Sequence, residues 1–262
     1  MGKFENTVII TDLDGTLLTN DCTVSQKDIE AIEFFKKEGG LFTVATGRTI
    51  NRTYFLNDYI NLDIPAIFAN GGIIGRLQDK NQLWIENSSA CIKDIIIDYY
   101  KKNTEACILI SSDNKDYIYN IEKFKKFIYT LDGFNITYGN IPDIPFPFVK
   151  TVIISEKDLL GYLNEEYSQY LDKICFTKSS DTFYEIVDNN VNKGNALLKL
   201  KSLANIQDKK IIAVGDNLND IEFIENSDIG VAVLNNCTPL IQKADITVNK
   251  GNVIYQIINK LM

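Results

Sequence analysis

The sequence predicts an α/β protein: a doubly wound, mostly parallel sheet with an inserted α+β domain. Three observations carry this. Short β-branched runs alternate with helical stretches at both ends of the chain, the pattern of a parallel sheet covered by helices. The middle instead sets strand after strand, with two helical stretches between them. Four segments where a strand ends or a helix begins are dense in Asp, Asn, Thr, Gly or Lys, at the edge where open α/β sheets bind ligands.

Val8-Ile9-Ile10 reads as a buried strand running into Asp12-Leu13-Asp14-Gly15-Thr16. Ser25, with Asp28 three residues on, predicts a helix start. Ile29, Ile32 and Phe35 keep helical spacing, and Gly39-Gly40 ends the helix. A second strand over 41–45 ends at Thr46-Gly47-Arg48, and a helix is expected over 53–59. Pro65 leads into a third strand over 66–69, ending at Asn70-Gly71-Gly72. The far end repeats the grammar: helix 195–204, strand 210–214, the loop Gly215-Asp216-Asn217-Leu218-Asn219-Asp220, helix 221–226, strand 229–234, helix 239–244, strand 246–248 and helix 252–261.

In the middle, strands are expected over 83–85, 106–110, 117–121, 151–154, 173–176 and 182–187, with helices over 89–100 and 156–170. This assigns 1–76 and 189–262 to a core domain and 77–188 to an insert. The crossings, near 73–78 and 188–192, hold residues that tolerate turns.

Composition narrows the function. Without a single histidine, the chain has no Ser-His-Asp triad, no Cys-His pair and no histidine metal site. Any metal is held by oxygen, which favours magnesium, manganese or calcium. A net charge of -8 argues against a nucleic-acid partner. Five widely spaced cysteines without a CxxC predict free thiols in a reducing compartment. No apolar stretch has the character of a signal peptide or the length of a membrane span, so a cytoplasmic location without a membrane partner is expected. Oligomeric state is not legible.

Asp12 and Asp14, at i and i+2 after the first strand, would face one crevice while Leu13 turns away, and Gly15 permits the sharp turn that follows. An Asx turn with two solvated carboxylates is the alternative. An EF-hand is excluded, because Gly15 falls at loop position four and Thr23 stands where the bidentate Glu belongs. Thr46 and Gly47 offer a hydroxyl and backbone N–H groups to phosphoryl oxygens; the alternative is an ordinary turn with an exposed Arg48. Lys193 opens a helix, a positive spot suited to phosphate or else a surface lysine. Asp216 stands at a strand tip and Asp220 four residues on, in a loop that is otherwise only turn-rich. Taken together, these segments assemble an oxygen-ligand metal site beside a phosphate pocket.

In the order D-x-D-G-T, T-G-R, K-G and G-D-x-x-N-D, the chain resembles the haloacid dehalogenase (HAD) superfamily of phosphatases. Its spacing and insert are similar to the Cof-type sugar-phosphatase-like branch, which carries a large α/β cap. Asn70-Gly71 fits the same pattern. The resemblance implies a Mg²⁺-dependent phosphatase acting on a small phosphorylated metabolite through an aspartyl-phosphate. By it, Asp12 is the nucleophile and Asp14 the general acid, then base. Mg²⁺ is held by the backbone carbonyl of Asp14 with the carboxylates of Asp12 and Asp216. Thr46, the Leu13 and Gly47 amides, Lys193 and Asn219 contact the phosphoryl oxygens, and Asp220 supports Asp216 or Lys193 from behind. Asp14 needs a raised pKa for this, which burial under a closed cap would supply.

All three arginines, Arg48, Arg52 and Arg76, lie outside the insert. Without a bidentate clamp there, a second anionic group on the substrate is poorly held, which points to a sugar or polyol phosphate. Lys123, Lys125 and Lys126 read as a solvated helix face. A phosphomutase of the same superfamily is the alternative within enzymes, and a phosphoryl-accepting or Mg²⁺-binding signalling module the alternative outside them.

Overall fold

A computed structural model of the chain describes residues 2–86, 88–112, 115–120, 136–137, 141–235 and 237–262. The residues group into two compact units, 1–84 with 192–262, and 85–191. Lys123, Lys125 and Lys126 lie outside the described residues.

In chain order the strands are β1 (Thr7–Thr11), β2 (Leu41–Val44), β3 (Ala66–Phe68), β4 (Ile73–Gly75), β5 (Gln82–Ile85), β6 (Cys107–Ser112), β7 (Lys115–Tyr119), β8 (Ile136–Thr137), β9 (Lys150–Ile154), β10 (Ile174–Ser180), β11 (Phe183–Asp188), β12 (Lys210–Gly215), β13 (Ile229–Leu234) and β14 (Ile246–Asn249). The helices are α1 (Gln26–Lys37), α2 (Ile50–Thr53), α3 (Cys91–Lys102), α4 (Leu160–Glu166), α5 (Lys193–Leu203), α6 (Ile221–Glu225), α7 (Thr238–Lys243) and α8 (Val253–Leu261).

The first unit is built on a five-stranded sheet in the order β14-β13-β12-β1-β2, parallel throughout. Such a sheet is covered on both faces, so its strands are apolar in continuous runs. Val8, Ile9 and Ile10 of β1 are all fully buried. Val8 and Ile10 share a core with Leu197 and Leu200 of α5 and with Phe223, while α1 packs along α8. Since β1 lies between β12 and β2, the chain leaves it to both sides, and the carboxyl ends of all three meet at one switch point.

The third strand departs from expectation. It touches the parallel sheet through a single bridge, Ala45 to Ile67, and instead forms a three-stranded sheet in the order β3-β4-β5. The reason is the turn at 69–72, which sends the chain straight back so that β4 pairs antiparallel to β3. A second turn, closed by the Arg76 N–H donating to Asn81 O, adds β5. Residues 77–84, assigned by sequence to the insert, thereby fall in the first unit. The helix expected over 53–59 begins earlier, as α2, and tightens into a 3-10 turn over Tyr54–Asp58.

The second unit holds a six-stranded sheet, β10-β11-β9-β6-β7-β8, antiparallel except for the β7–β8 pair. Ile92, Ile95, Ile96 and Tyr99 of α3 pack on Ile108, Ile110 and Ile153, with Leu163 of α4 in the same core. Helix α4 starts later than the sequence suggests. Ser155 and Asp158 hold the preceding backbone in turns, through bonds from the Lys157 and Leu160 N–H groups. Among the described residues no helix is long and apolar enough to cross a membrane.

Candidate active site

Strand β1 ends at Thr11, and the Asp12 N–H donates to Val214 O of β12 at 2.8 Å, fixing Asp12 at the seam between the two strands. The chain then turns sharply. Gly15 has φ +85°, and a Cβ there would lie 2.3 Å from Asp216 Oδ2. Glycine is required twice over: for the left-handed backbone, and because a carboxylate from another loop fills the space. Leu13 turns inward and is fully buried.

Lys193 is the first residue of α5, whose N-cap Asn192 accepts from the Asn195 N–H. Its ammonium donates to Asp12 Oδ1 at 2.5 Å and to Asp220 Oδ1 at 2.6 Å. The lysine is 0% exposed, and both carboxylates are buried. The surface-lysine alternative is overturned. Asp220 also accepts from the Asp216 and Asn217 N–H groups through Oδ2. One side chain thus ties the lysine to the loop that carries Asp216. Asp216 accepts from Thr16 Oγ1 and from Asn235 Nδ2.

Oxygens of Asp12, Asp216 and Asp220 lie within 4.8 Å of one another. Burial, and then the neighbouring Asp220 and Asp216, push Asp12 up to about 7 against the pull of Lys193. Asp216 is raised for the same reasons, burial first and Asp220 second. Burial disfavours the charge on Lys193, but Asp12 and Asp220 outweigh it and hold the ammonium protonated above its ordinary range. The cluster is all oxygen and rich in negative charge, a donor set that fits a hard divalent cation. The gap left by the missing Gly15 side chain keeps Asp216 within reach of that set.

The structure does not bring the Asp14 carboxylate into this cluster. That side chain is 56% exposed and is gripped by Arg48, Nε to Oδ2 at 2.8 Å and Nη2 to Oδ1 at 2.6 Å. Strand alternation fails as an argument here, because the chain has already left β1 at Thr11 and Asp14 belongs to the turn. Arg48 is not an exposed turn residue. It is 17% exposed, with its guanidinium 5.3 Å from the Phe55 ring centroid.

Thr46 is fully buried, and its Oγ1 accepts from the Arg48 N–H at 3.1 Å. A Cβ on Gly47 would lie 2.9 Å from Asn70 Oδ1, and Asn219 Nδ2 donates to that same oxygen at 3.0 Å. Asp12, Asp216, Asp220 and Lys193 therefore form one contiguous group, and Thr46, Gly47 and Asn219 a second, joined through Asn70. Sequence reasoning missed two contacts of Asp216. Thr16 lies inside the quoted D-x-D-G-T without an assigned part, and Asn235 directly follows β13, a strand-tip position that would have exposed it.

The sequence matches the profile of the haloacid dehalogenase-like hydrolases over residues 9–258. The chain belongs to that family. Among its relatives is a 5-amino-6-(5-phospho-D-ribitylamino)uracil phosphatase of Bacillus subtilis, 24% identical over 92% of this chain and 91% of that protein. Among solved structures, a haloacid dehalogenase-like hydrolase from Bacteroides thetaiotaomicron superposes with a TM-score of 0.80 at 23% identity, covering 98% of this chain and 99% of the other. A HAD subclass IIB sugar phosphatase superposes with a TM-score of 0.79 at 16% identity, covering 98% and 100%. The enzyme is a HAD-type phosphatase, a phosphoric monoester hydrolase.

Proposed function

We propose that this phosphatase hydrolyses a small sugar or polyol phosphate through an aspartyl-phosphate on Asp12, with Mg²⁺ as its ion. The observation that carries the reading is the buried Lys193 ammonium, 2.5 Å from Asp12 and 2.6 Å from Asp220. A carboxylate and a phosphate dianion repel, and a fixed cation beside the carboxylate reduces that repulsion in the transition state. The Asp12 and Asp216 carboxylates, with the Asp14 backbone carbonyl, would hold Mg²⁺, which when bound supplies further positive charge to the phosphoryl group.

Asp12 attacks phosphorus, forming the Asp12 O–P bond as the ester P–O bond breaks, and Asp14 gives its proton to the leaving oxygen. Water then attacks the aspartyl-phosphate, Asp14 takes that proton, and phosphate leaves with Asp12 restored. Of the four motif carboxylates Asp14 is the exposed one, so it is the one able to turn. This role requires it to exchange Arg48 for the leaving oxygen and to take up a proton from solvent before it donates one. Thr46, the Leu13 and Gly47 amides, Lys193 and Asn219 hold the phosphoryl oxygens, and Asp220 keeps Lys193 in place.

We read the second unit as the cap that the family resemblance implies. It contains no arginine to clamp a second anionic group. The Bacillus subtilis relative is named for a substrate with a phosphorylated ribityl chain, which supports a polyol phosphate here. The thiols of Cys22, Cys91, Cys175 and Cys237 suit a cytoplasmic enzyme.

The test is phosphate release from a panel of sugar and polyol phosphates with Mg²⁺. The wild type should turn over, and Asp12→Asn should be slower by at least about 10⁴-fold, as expected for a lost nucleophile. Equal rates would remove Asp12 as nucleophile. Isomerised substrate without net release would make the enzyme a phosphomutase.

A further inference from the structure

Beside the site, the turn between β3 and β4 runs through the left-handed region. Ala69, Asn70 and Gly71 are successive residues with φ of +51°, +54° and +108°. Asparagine and glycine tolerate the left-handed region; alanine does not, and its side chain offers no hydrogen bond in return. The turn persists because its surroundings hold it. The Ala69 N–H donates to Arg48 O at 2.9 Å and the Asn70 N–H to Thr46 O at 3.0 Å. On its other side, a Cβ at Gly71 would lie 2.3 Å from Asn192 O, the residue that caps the Lys193 helix. The turn is thus seated between the 46–48 loop and the start of α5. From that seat the Asn70 side chain reaches Asn219 in a third loop and closes over Gly47.

We infer that Asn70 is a positioning residue, whose Oδ1 fixes the carboxamide of Asn219 so that the second N–H of Asn219 Nδ2 is presented to the phosphoryl group. The inference rests on the phosphatase reading above. An Asn carboxamide can present either oxygen or nitrogen to an anion, and only the nitrogen helps. By accepting one N–H of Asn219, Asn70 selects the useful orientation before substrate arrives. The left-handed backbone at 69–71 carries the Asn70 side chain to Gly47 and Asn219.

The experiment combines a double-mutant cycle with a spectroscopic readout. Asn70→Ala and Asn219→Ala should each lower kcat/KM by about tenfold, and the double variant should be no worse than either alone, since one acts through the other. Asn70→Asp keeps the acceptor oxygen and the left-handed backbone but adds charge beside an anion. It should retain kcat within about threefold while raising KM. Asn70→Gly, which relaxes the backbone, should keep Tm at or above the wild-type value yet lose activity like Asn70→Ala. The Asn219 side-chain amide resonances in ¹⁵N-labelled protein, identified by their absence in Asn219→Ala, should be shifted from their wild-type positions in Asn70→Ala and Asn70→Gly. Independent, multiplying effects of the two alanine variants, or Asn219 resonances unmoved in Asn70→Ala, would overturn the inference. Failure of wild type and Asp12→Asn alike to release phosphate would instead sink the phosphatase reading, and the amide resonances would still decide whether Asn70 sets Asn219.

Discussion

Two lysines in this protein are drawn almost identically. Lys193, in the first unit, bridges Asp12 and Asp220 at 2.5 and 2.6 Å. Lys102, in the second, bridges Asp98 and Glu166 at 2.7 and 2.6 Å. Distance does not separate them. Burial does: Lys193 is 0% exposed, and Lys102 is 46% exposed. In the first setting, removal from water makes each charge expensive unless its partners stay in place. In the second, water and salt already solvate every charge, and the bridge adds little. A buried triad of this kind is weak evidence for stability. It makes sense as a poised site, and the proposed phosphoryl chemistry uses the carboxylate that the lysine holds.

The sharpest break of the comparison is Lys193→Met. It removes the cation from between two buried carboxylates, and about 3–5 kcal/mol of stability should go with it. Turnover should fall by about 10²–10³-fold, the scale of one lost transition-state stabiliser. Denaturant unfolding and phosphate release measure the two effects. If burial is the cause, replacing the whole triad by neutral groups in Asp12→Asn/Lys193→Met/Asp220→Asn should recover most of the stability but none of the activity. A triple variant as unstable as Lys193→Met would show that packing, not charge, sets the cost.

Acid–base linkage separates the two sites next. Asp12 is pushed up to about 7 from 3.8, by burial before all else. Between those values the folded protein holds a proton that the unfolded chain releases. The contribution of Asp12 to stability without metal is therefore fully present below about pH 4, is lost as pH rises to about 7, and changes no further beyond. Asp98 behaves oppositely. Hydrogen bonds from Lys102 and Tyr167 lower its pKa, so its small contribution is present at neutral pH and lost on acidification. Melting in chelator from about pH 5 to about pH 8 should show Tm falling in the wild type and a flatter line in Asp12→Asn. Divalent ion should raise Tm more at the upper end, because it competes with the proton. A wild-type Tm that climbs through this range would contradict the assignment.

Much of this difference was invisible in the sequence, for physical reasons. Strand tips are legible, because β-branched runs and turn residues mark where a parallel strand stops, and Asp12, Thr46 and Asp216 stand at such tips. Whether Lys193 is solvated depends on which loops pack around the start of α5, and that is a long-range fact. Arg48 and Asp14 are 34 residues apart, and their bidentate pairing follows from a turn whose backbone leaves the strand one residue before Asp12. Strand periodicity cannot be extended past that point. Asn70 is legible as a turn residue, but its partner Asn219 lies 149 residues away. Residues 77–84 read as insert because β5 is a strand in a strand-rich stretch; only its pairing in the β3-β4-β5 sheet assigns it.

The smallest expected effect is at Lys102. Its ammonium has two carboxylate partners, one of them an i,i+4 neighbour on α3, and lies 5.9 Å from the Tyr167 ring centroid. Held charges of this kind give up side-chain freedom for a contact that water nearly matches. Lys102→Ala should therefore move Tm by no more than about 2 °C at low salt. The shift should shrink further at about 1 M salt, where the screening length is about 3 Å. Phosphate release should be unchanged, since none of the assigned phosphoryl or metal contacts involves this bridge. A salt-resistant loss comparable to that of Lys193→Met would mean that the bridge is effectively desolvated after all. Exposure would then not be what distinguishes the two lysines.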